Sequence, residues 1–272
     1  MAVTMNDITK LRAMTGAGLM DCKQALIEAN NDFEKAIEIV RKKGQAIAAK
    51  RSSREALEGC VLAEAKDDFA VALSLKCETD FVARNADFIA LTKAILQAAL
   101  ENRPTTKEEL LALKINGRTI ADLVIERSAV TGEKVELEDY VFVKGGSTAA
   151  YTHFGNRLAS IVAFKEKDVD PKVAHEIAMQ IASMNPIAID RASVPQKMIE
   201  TELEIAREKA REEGKPENMI DKIAEGRLNK FFQEAVLLEQ TSIMDNKTII
   251  GDYLKTHNAT VIDFKRISLN QE

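Results

Sequence analysis

The spacing of apolar residues changes near residue 59, and this change constrains the fold more than any other feature of the sequence. Before it, apolar side chains recur at the intervals typical of amphipathic helices. After it comes a strict alternation of apolar and other residues, which indicates a half-buried β-strand. The alternating residues are Phe69, Val71, Leu73, Leu75 and Cys77. Helical spacing then returns, so the sequence predicts an α+β fold with a helical N-terminal segment.

Residues 1–45 predict a small module of three short helices. Thr4 and Asp32 precede helical stripes as N-cap residues, and Gly44 is expected to end the third helix. The apolar residues of the three stripes are Ile8, Leu11, Met14, Cys22, Ala25, Leu26, Ala29, Phe33, Ala36, Ile37 and Val40. Residues 46–58 are rich in Ala and charge, and they predict a linker between this module and the core, with partial helix as an open alternative.

A β-hairpin is predicted for residues 59–77. Two consecutive aspartates separate its two apolar runs, and a two-residue turn there fixes the register. In that register Leu62 lies opposite Leu73, and Cys60 lies opposite Leu75.

Helices and strands alternate through the rest of the core. A long helix is expected from about residue 80 to residue 101, with Phe81 and Phe88 on its apolar stripe. Strand character recurs between residues 135 and 165, and a helix is expected at 171–184. Strands followed by a helix thus occur twice, which predicts two α+β subdomains. Their predicted limits are residues 59–140 and residues 141–272.

An antiparallel helical hairpin is predicted as an insert in the second subdomain, at about residues 194–235. Apolar residues on its first helix repeat at coiled-coil spacing, and Gly-Lys-Pro at 214–216 reverses the chain. Half of the residues between 197 and 230 are charged, so the pair is expected to project from the core. The pattern leaves open whether the hairpin is simply exposed or joins chains into a homodimer or a heterotetramer.

The charge pattern argues against nucleic acid as a partner. The net charge is −5, and acidic and basic residues are mixed along the chain, so no overall field attracts a phosphate backbone. One basic cluster lies between Arg41 and Arg54. We expect it to be a solvated segment beside a helix C-terminus, where cations are favoured.

No motif of an enzyme is present in the sequence. It contains no GxxxxGK[ST] loop, no HExxH and no GxSxG elbow, and no apolar run of about 18 residues that would span a membrane. The three cysteines match neither a disulfide framework nor a zinc knuckle. We therefore expect a cytoplasmic protein that is not an enzyme, holds no metal or cofactor, and binds no nucleotide or membrane directly.

The segment Glu78–Arg84 lies where a strand becomes a helix. Thr79 is expected to be the N-cap, and Asp80 would interact favourably with the helix dipole. Large aromatic side chains are usually buried, so the residue pattern alone favours Phe81 in the core. The alternative is an acidic and aromatic wedge at the surface, and periodicity does not choose between the two.

Four stretches of the sequence resemble bacterial elongation factor Ts. They are LRAMTGAGLMDCKQAL at 11–26, CETDFVAR at 77–84, HFGNR at 153–157, and GKP at 214–216 followed by IAEGR and KF. They occur in the family's order and extend over nearly the whole chain. The resemblance implies a ubiquitin-associated-like N-terminal module, a core of two subdomains and a helical hairpin inserted in the second.

The same resemblance implies a function. It implies a guanine nucleotide exchange factor for translation elongation, which binds elongation factor Tu in its GDP-bound and nucleotide-free states. It further implies that Asp80 and Phe81 displace the magnesium ion of elongation factor Tu, so that GDP leaves and GTP can bind. The residue pattern by itself also allows a non-catalytic helical adaptor or scaffold, which would have no use for the segment around Phe81.

The sites that the resemblance implies fall in three parts of the chain, at residues 11–20, 79–84 and 153–157. The exchange segment is Thr79, Asp80, Phe81, Val82, Ala83 and Arg84. The partner-binding residues implied by the resemblance are Leu11, Arg12, Gly16, Gly18, Leu19, Met20, His153, Gly155 and Arg157.

Overall fold

The structure is a computed structural model that describes residues 2–269. The helices are α1 (Met5–Thr15), α2 (Leu19–Glu28), α3 (Phe33–Arg51), α4 (Asp80–Ala83), α5 (Ala86–Asn102), α6 (Lys107–Ala112), α7 (Ile120–Thr131), α8 (Pro171–Met184), α9 (Gln196–Glu212), α10 (Glu217–Ala235) and α11 (Ile250–Thr256). The strands are β1 (Glu58–Lys66), β2 (Phe69–Cys77), β3 (Lys114–Ile115), β4 (Arg118–Thr119), β5 (Glu136–Lys144), β6 (Ser147–Thr152), β7 (Leu158–Phe164) and β8 (Val261–Ser268). This mixture of helix and sheet confirms the predicted fold class. Among the described residues, no helix is long and apolar enough to cross a membrane.

The first three helices pack around a core of their own. Thr4 caps α1 and Asp32 caps α3, as predicted. The prediction that Gly44 ends the third helix was wrong, because α3 continues to Arg51 and includes the first part of the predicted linker at 46–58. The assignment of these helices as a ubiquitin-associated-like module stays a prediction.

Gly44 is instead the point at which α3 packs closely against α7. A Cβ atom placed on Gly44 would lie 3.2 Å from the Cβ of Ala129, which is tighter than ordinary van der Waals contact. An ion pair between Arg41 and Asp122, 2.7 Å apart, joins the same two helices. Glycine inside a helix costs about 1 kcal/mol relative to alanine, and here it allows the two backbones to approach.

The basic side chains between Arg41 and Arg54 are mostly exposed to solvent, as predicted. Most of them also form ion pairs with carboxylates, one pair lying within α3 and the others joining this segment to α2, to α7 or to Glu78. The pairs are Arg41–Asp122, Lys42–Glu38, Lys43–Asp21, Arg51–Glu78 and Arg54–Glu78.

Strands β1 and β2 form the predicted hairpin in the predicted register. Leu62 lies opposite Leu73, and Cys60 lies opposite Leu75. Strand β5 pairs with the other side of β2, which gives a three-stranded antiparallel sheet in the order β1-β2-β5. Strand β5 continues past residue 140, the predicted limit of the first subdomain.

Strand β2 is buried on both faces, so the prediction of a half-buried strand was wrong. The side chains on its second face are small, and this lets a second antiparallel sheet, in the order β6-β7-β8, pack directly against it. The buried residues between the two sheets are Val61, Ala70, Ala72, Val143, Ala159, Ile161, Ala163, Ile267 and Leu269.

Each sheet is covered by a helix on its outer face. Helix α5 packs on β1-β2-β5 through Phe88, Ile95 and Ala99, and α8 packs on the second sheet through Val173 and Ile177. The resulting layers are helix, sheet, sheet and helix. The division into two similar subdomains, the second ending at residue 272, stays a prediction, and residues 270–272 lie outside the described range.

The long helix predicted over residues 80–101 is two helices, α4 and α5. The side chain of Asn85 separates them, because its oxygen accepts hydrogen bonds from the backbone N–H groups of Asp87 (2.9 Å) and Phe88 (3.3 Å) and caps α5. The break changes the helical phase, so that Phe88 is buried whereas Phe81 is 85% exposed. The placement of Phe81 in the core was therefore wrong.

Helices α9 and α10 form the predicted antiparallel hairpin. Small and branched residues face each other along it, namely Ala206, Ala210, Ile220 and Ala224, all of them buried. Ion pairs Arg207–Asp221 and Arg227–Glu213 cross between the two helices. At its base the hairpin rests on a small cluster that includes Phe232.

Candidate functional site

Helix α4 presents an aromatic ring and a carboxylate at the protein surface. The helix is one turn long, and Val82 and Ala83 pack against the buried cluster under β1 and β2. Phe81 therefore points away from the core, and the Asp80 carboxylate, nearly half exposed, pairs with Arg84 at 3.3 Å. A phenylalanine so exposed is unusual for a folded chain. Its exposure favours the prediction of a surface wedge over that of a core residue.

Glu133 fixes the backbone immediately before α4. One of its carboxylate oxygens accepts hydrogen bonds from the backbone N–H groups of Glu78 and Thr79, both at 3.0 Å. The other accepts the hydroxyl hydrogen of Thr79 at 2.6 Å. In return, the Glu78 carboxylate accepts a hydrogen bond from the N–H of Lys134 at 2.6 Å. We call these four hydrogen bonds between residues 78–79 and 133–134 the carboxylate clamp.

Glu78 also connects α4 to the end of α3. Its carboxylate lies 3.4 Å from Arg51 and 3.0 Å from Arg54. Burial raises the pKa of Glu78, but the N–H of Lys134 and the two guanidinium groups outweigh it and hold that pKa below its ordinary value. Glu78 is therefore ionised at neutral pH and ties three segments together.

A second exposed phenylalanine lies in the turn between β6 and β7. The N–H of Asn156 donates to the carbonyl of His153 at 3.0 Å and closes the turn. Gly155 has φ +87°, which the third position of a type II turn requires. Phe154 between them is 97% exposed, and the hydroxyl of Tyr151 lies 2.8 Å from His153 Nδ1.

The sheet register brings this turn and α4 to the same end of the core. Arg157 forms an ion pair with Glu58, the first residue of β1. Glu58 lies opposite Cys77, the last residue of β2, and α4 follows three residues later. Arg157 is thus placed to support the turn from within the chain, while His153 and Gly155 are exposed at its tip.

The N-terminal helices present a separate apolar surface. At the start of α2, Leu19 is 42% and Met20 is 73% exposed, and Gly18 is the N-cap residue. Arg12 and Gly16 are also exposed, and Gly16 ends α1 with φ +69°.

Leu11 differs from the other partner-binding residues implied by the resemblance. It is fully buried in the core of the first three helices, so its side chain is not available to a partner in this conformation. Its position on the inner stripe of α1 gives it a packing role, and its contact with a partner stays a prediction.

The N-terminal surface is joined to α4 through α3. Lys43 of α3 pairs with Asp21, the neighbour of Met20, at 2.5 Å. Eight residues further along the same helix, Arg51 pairs with Glu78. Helix α3 thus connects the N-terminal apolar surface at Leu19 and Met20 with the surface that α4 presents.

The two buried cysteines of the first sheet are unreactive as nucleophiles. Burial raises the pKa of the thiol of Cys60 to about 11 and that of Cys77 to about 12, so both remain protonated at neutral pH. Over residues 2–269, no group of three His, Cys, Asp or Glu side chains could hold a metal ion. The site combines exposed rings, a surface carboxylate and a fixed backbone, which are groups that can contact a partner.

Sequence reasoning did not identify Glu133 or Phe154. Glu133 follows Gly132, which ends α7 with φ +69°, but nothing in its spacing connects it to a strand more than 50 residues earlier. Phe154 was part of a recognised motif, and its position beside a glycine in a strand-to-strand turn is a signal of exposure that could have been used.

Comparison with known proteins agrees with the resemblance. The family described as elongation factor TS matches residues 78–271, beginning at the clamp residue Glu78. Proteins named elongation factor Ts are similar over the full length of both chains: that of Porphyromonas gingivalis at 56% identity, that of Azobacteroides pseudotrichonymphae at 52%, and that of Bacteroides thetaiotaomicron at 45%. The chain therefore belongs to the elongation factor Ts family, whose members are translation elongation factors.

Proposed function

We propose that this chain is the guanine nucleotide exchange factor of elongation factor Tu and acts in the cytoplasm. The observation that carries the proposal is the exposure of Phe81 beside the Asp80 carboxylate, on a helix whose base is held by the carboxylate clamp. Membership of the elongation factor Ts family supplies the partner. Three buried free thiols fit a reducing compartment.

The proposed activity needs no bond chemistry on this chain. A GTPase holds GDP through a phosphate loop and a magnesium ion. An exchange factor prefers the empty GTPase, and linkage then requires that nucleotide and factor weaken each other's binding equally. An aromatic ring and a carboxylate placed beside the magnesium site would disturb both the ion and the loop.

The magnitudes show what Phe81 can contribute. Weakening nucleotide affinity by about 10⁴ needs roughly 5.5 kcal/mol of differential binding. Burying one phenylalanine supplies about 1.5–3 kcal/mol. Loss of the magnesium contacts and movement of the phosphate loop must therefore carry the remainder. In this proposal Leu19, Met20 and the turn at 153–157 anchor the complex and set its affinity.

The test is the release of fluorescent GDP from elongation factor Tu in a stopped-flow instrument. Phe81→Ala should slow release at saturating factor, while binding to nucleotide-free elongation factor Tu changes little. Met244→Ala is the matched control, because Met244 is an apolar residue with 55% of its surface exposed and lies outside α4. Wild-type protein that leaves GDP release unchanged, or a complex that excess GDP does not dissociate, contradicts the proposal and favours an adaptor.

A further inference from the structure

The carboxylate clamp is built as a support for α4 rather than as a surface ion pair. Glu133 uses both carboxylate oxygens and accepts three hydrogen bonds from Glu78 and Thr79, at 2.6–3.0 Å. Two of the donors are backbone N–H groups, so the clamp holds the path of the chain itself. The fourth hydrogen bond, from Lys134 N–H to Glu78, runs in the opposite direction and closes the pair.

Helix α4 needs such a support because it is very short, and only Val82 and Ala83 of its side chains pack against the core. It has four residues, and an isolated helix of that length is not stable in water. Its side-chain cap is long, since the N–H of Val82 lies 3.5 Å from the Thr79 hydroxyl oxygen. That hydroxyl also donates a hydrogen bond to Glu133, so the clamp holds the same oxygen that caps Val82.

The other half of the clamp rests on a fixed element. Glu133 directly follows Gly132, the C-cap residue of α7, and its own N–H donates to the Thr131 hydroxyl at 3.3 Å. Helix α7 packs against α3 at Gly44 and Ala129. Glu133 thus directly follows the helix that packs at the junction between the N-terminal helices and the core.

We propose that Glu133 is a positioning residue for nucleotide exchange: by holding residues 78–79 it directs Phe81 and Asp80 outward in one orientation. The inference rests on the exchange function proposed above and adds a residue to it. Glu133 acts through α4 and touches no nucleotide. Its loss should therefore lower the maximal rate of GDP release more than it weakens docking, which Leu19, Met20 and the turn at 153–157 provide.

The kinetic test compares Glu133→Ala, Glu133→Gln and the control Glu138→Ala. Glu138 is a half-exposed carboxylate of β5 that pairs with Lys76 at 2.7 Å. Fluorescent-GDP release is measured against factor concentration. Because a misplacement of about 1 Å can reduce a rate 10²-fold, Glu133→Ala should lower the saturating rate about tenfold or more and leave the half-saturating concentration within about threefold. Glu133→Gln should recover most of the rate, since its amide oxygen still accepts the backbone hydrogen bonds, and Glu138→Ala should match wild type.

Two kinetic results would overturn the inference. One is a wild-type saturating rate in Glu133→Ala. The other is a parallel loss of rate, affinity and melting temperature, which would make Glu133 a general stabilising residue.

A second measurement separates this inference from the proposed function. Deuterium uptake by backbone amides at 79–83 is followed in the chain alone, without elongation factor Tu. Glu133→Ala should increase uptake there, and Glu138→Ala should not. If uptake is unchanged, the positioning role is wrong even if wild type releases GDP. If uptake rises while wild type fails to release GDP, the support of α4 stands and the proposed exchange function fails.

Discussion

Two phenylalanines seven residues apart should respond in opposite ways to truncation. Phe88 is fully buried between α5 and the sheet β1-β2-β5, whereas Phe81 is 85% exposed. Truncating a buried phenylalanine to alanine costs about 3–5 kcal/mol through lost transfer energy and the cavity left behind. An exposed residue changes stability by about 0.5 kcal/mol or less. Since 1 kcal/mol shifts the melting temperature by about 2–4 °C in chains of comparable size, Phe88→Ala should melt roughly 6–20 °C below wild type, and Phe81→Ala within about 2 °C of it.

The assay is thermal unfolding of wild type, Phe81→Ala and Phe88→Ala, followed by far-ultraviolet circular dichroism at one scan rate. Phe88→Leu serves as a milder variant in case Phe88→Ala does not fold, and it should melt between Phe88→Ala and wild type. Comparable losses in Phe81→Ala and Phe88→Ala would refute the reasoning, because they would place Phe81 in the core and remove the wedge.

Two further predictions concern the N-terminal surface at Leu19 and Met20 and the pH dependence of stability. Replacing Leu19 and Met20 together with serine should raise the Kd for nucleotide-free elongation factor Tu about tenfold or more, because each side chain contributes apolar area to the contact; unchanged affinity by titration would remove α2 from the interface. The pKa of Glu78 lies below its ordinary value of 4.5, so its ionised form stabilises the fold above that pH, and this stability is lost as the pH falls through the lower folded-state pKa. Wild type should therefore exceed Glu78→Gln in stability to denaturant at neutral pH, and the difference should shrink on acidification below 4.5; a pH-independent difference would contradict this.

Local pattern in the sequence determined several elements and one register. The alternation from Phe69 to Cys77 and the two-aspartate turn fix the pairing of β1 with β2. Helix α8 begins and ends where its spacing predicted, at Pro171 and Met184. The charged repeat likewise predicted the α9–α10 pair. These features depend on neighbours within a few residues, so apolar period and turn chemistry are sufficient to predict them.

The exposure of individual side chains was decided by the tertiary structure. Phe81 and Phe88 fit one helical stripe in the sequence, and only the Asn85 cap puts them out of phase. Gly44 looks like a helix stop, yet it lies inside α3 because α7 packs against it.

The clamp shows most clearly what the sequence alone could not supply. Glu133 and Thr79 are 54 residues apart, and a hydrogen bond between them leaves no periodic trace in the chain. The sequence by itself determined the fold class, the β1–β2 pairing and the motif that follows β2. Only the tertiary structure decided that Glu133 holds this motif and that Asp80 and Phe81 face solvent. The orientation of these side chains depends on contacts between elements that are distant in sequence.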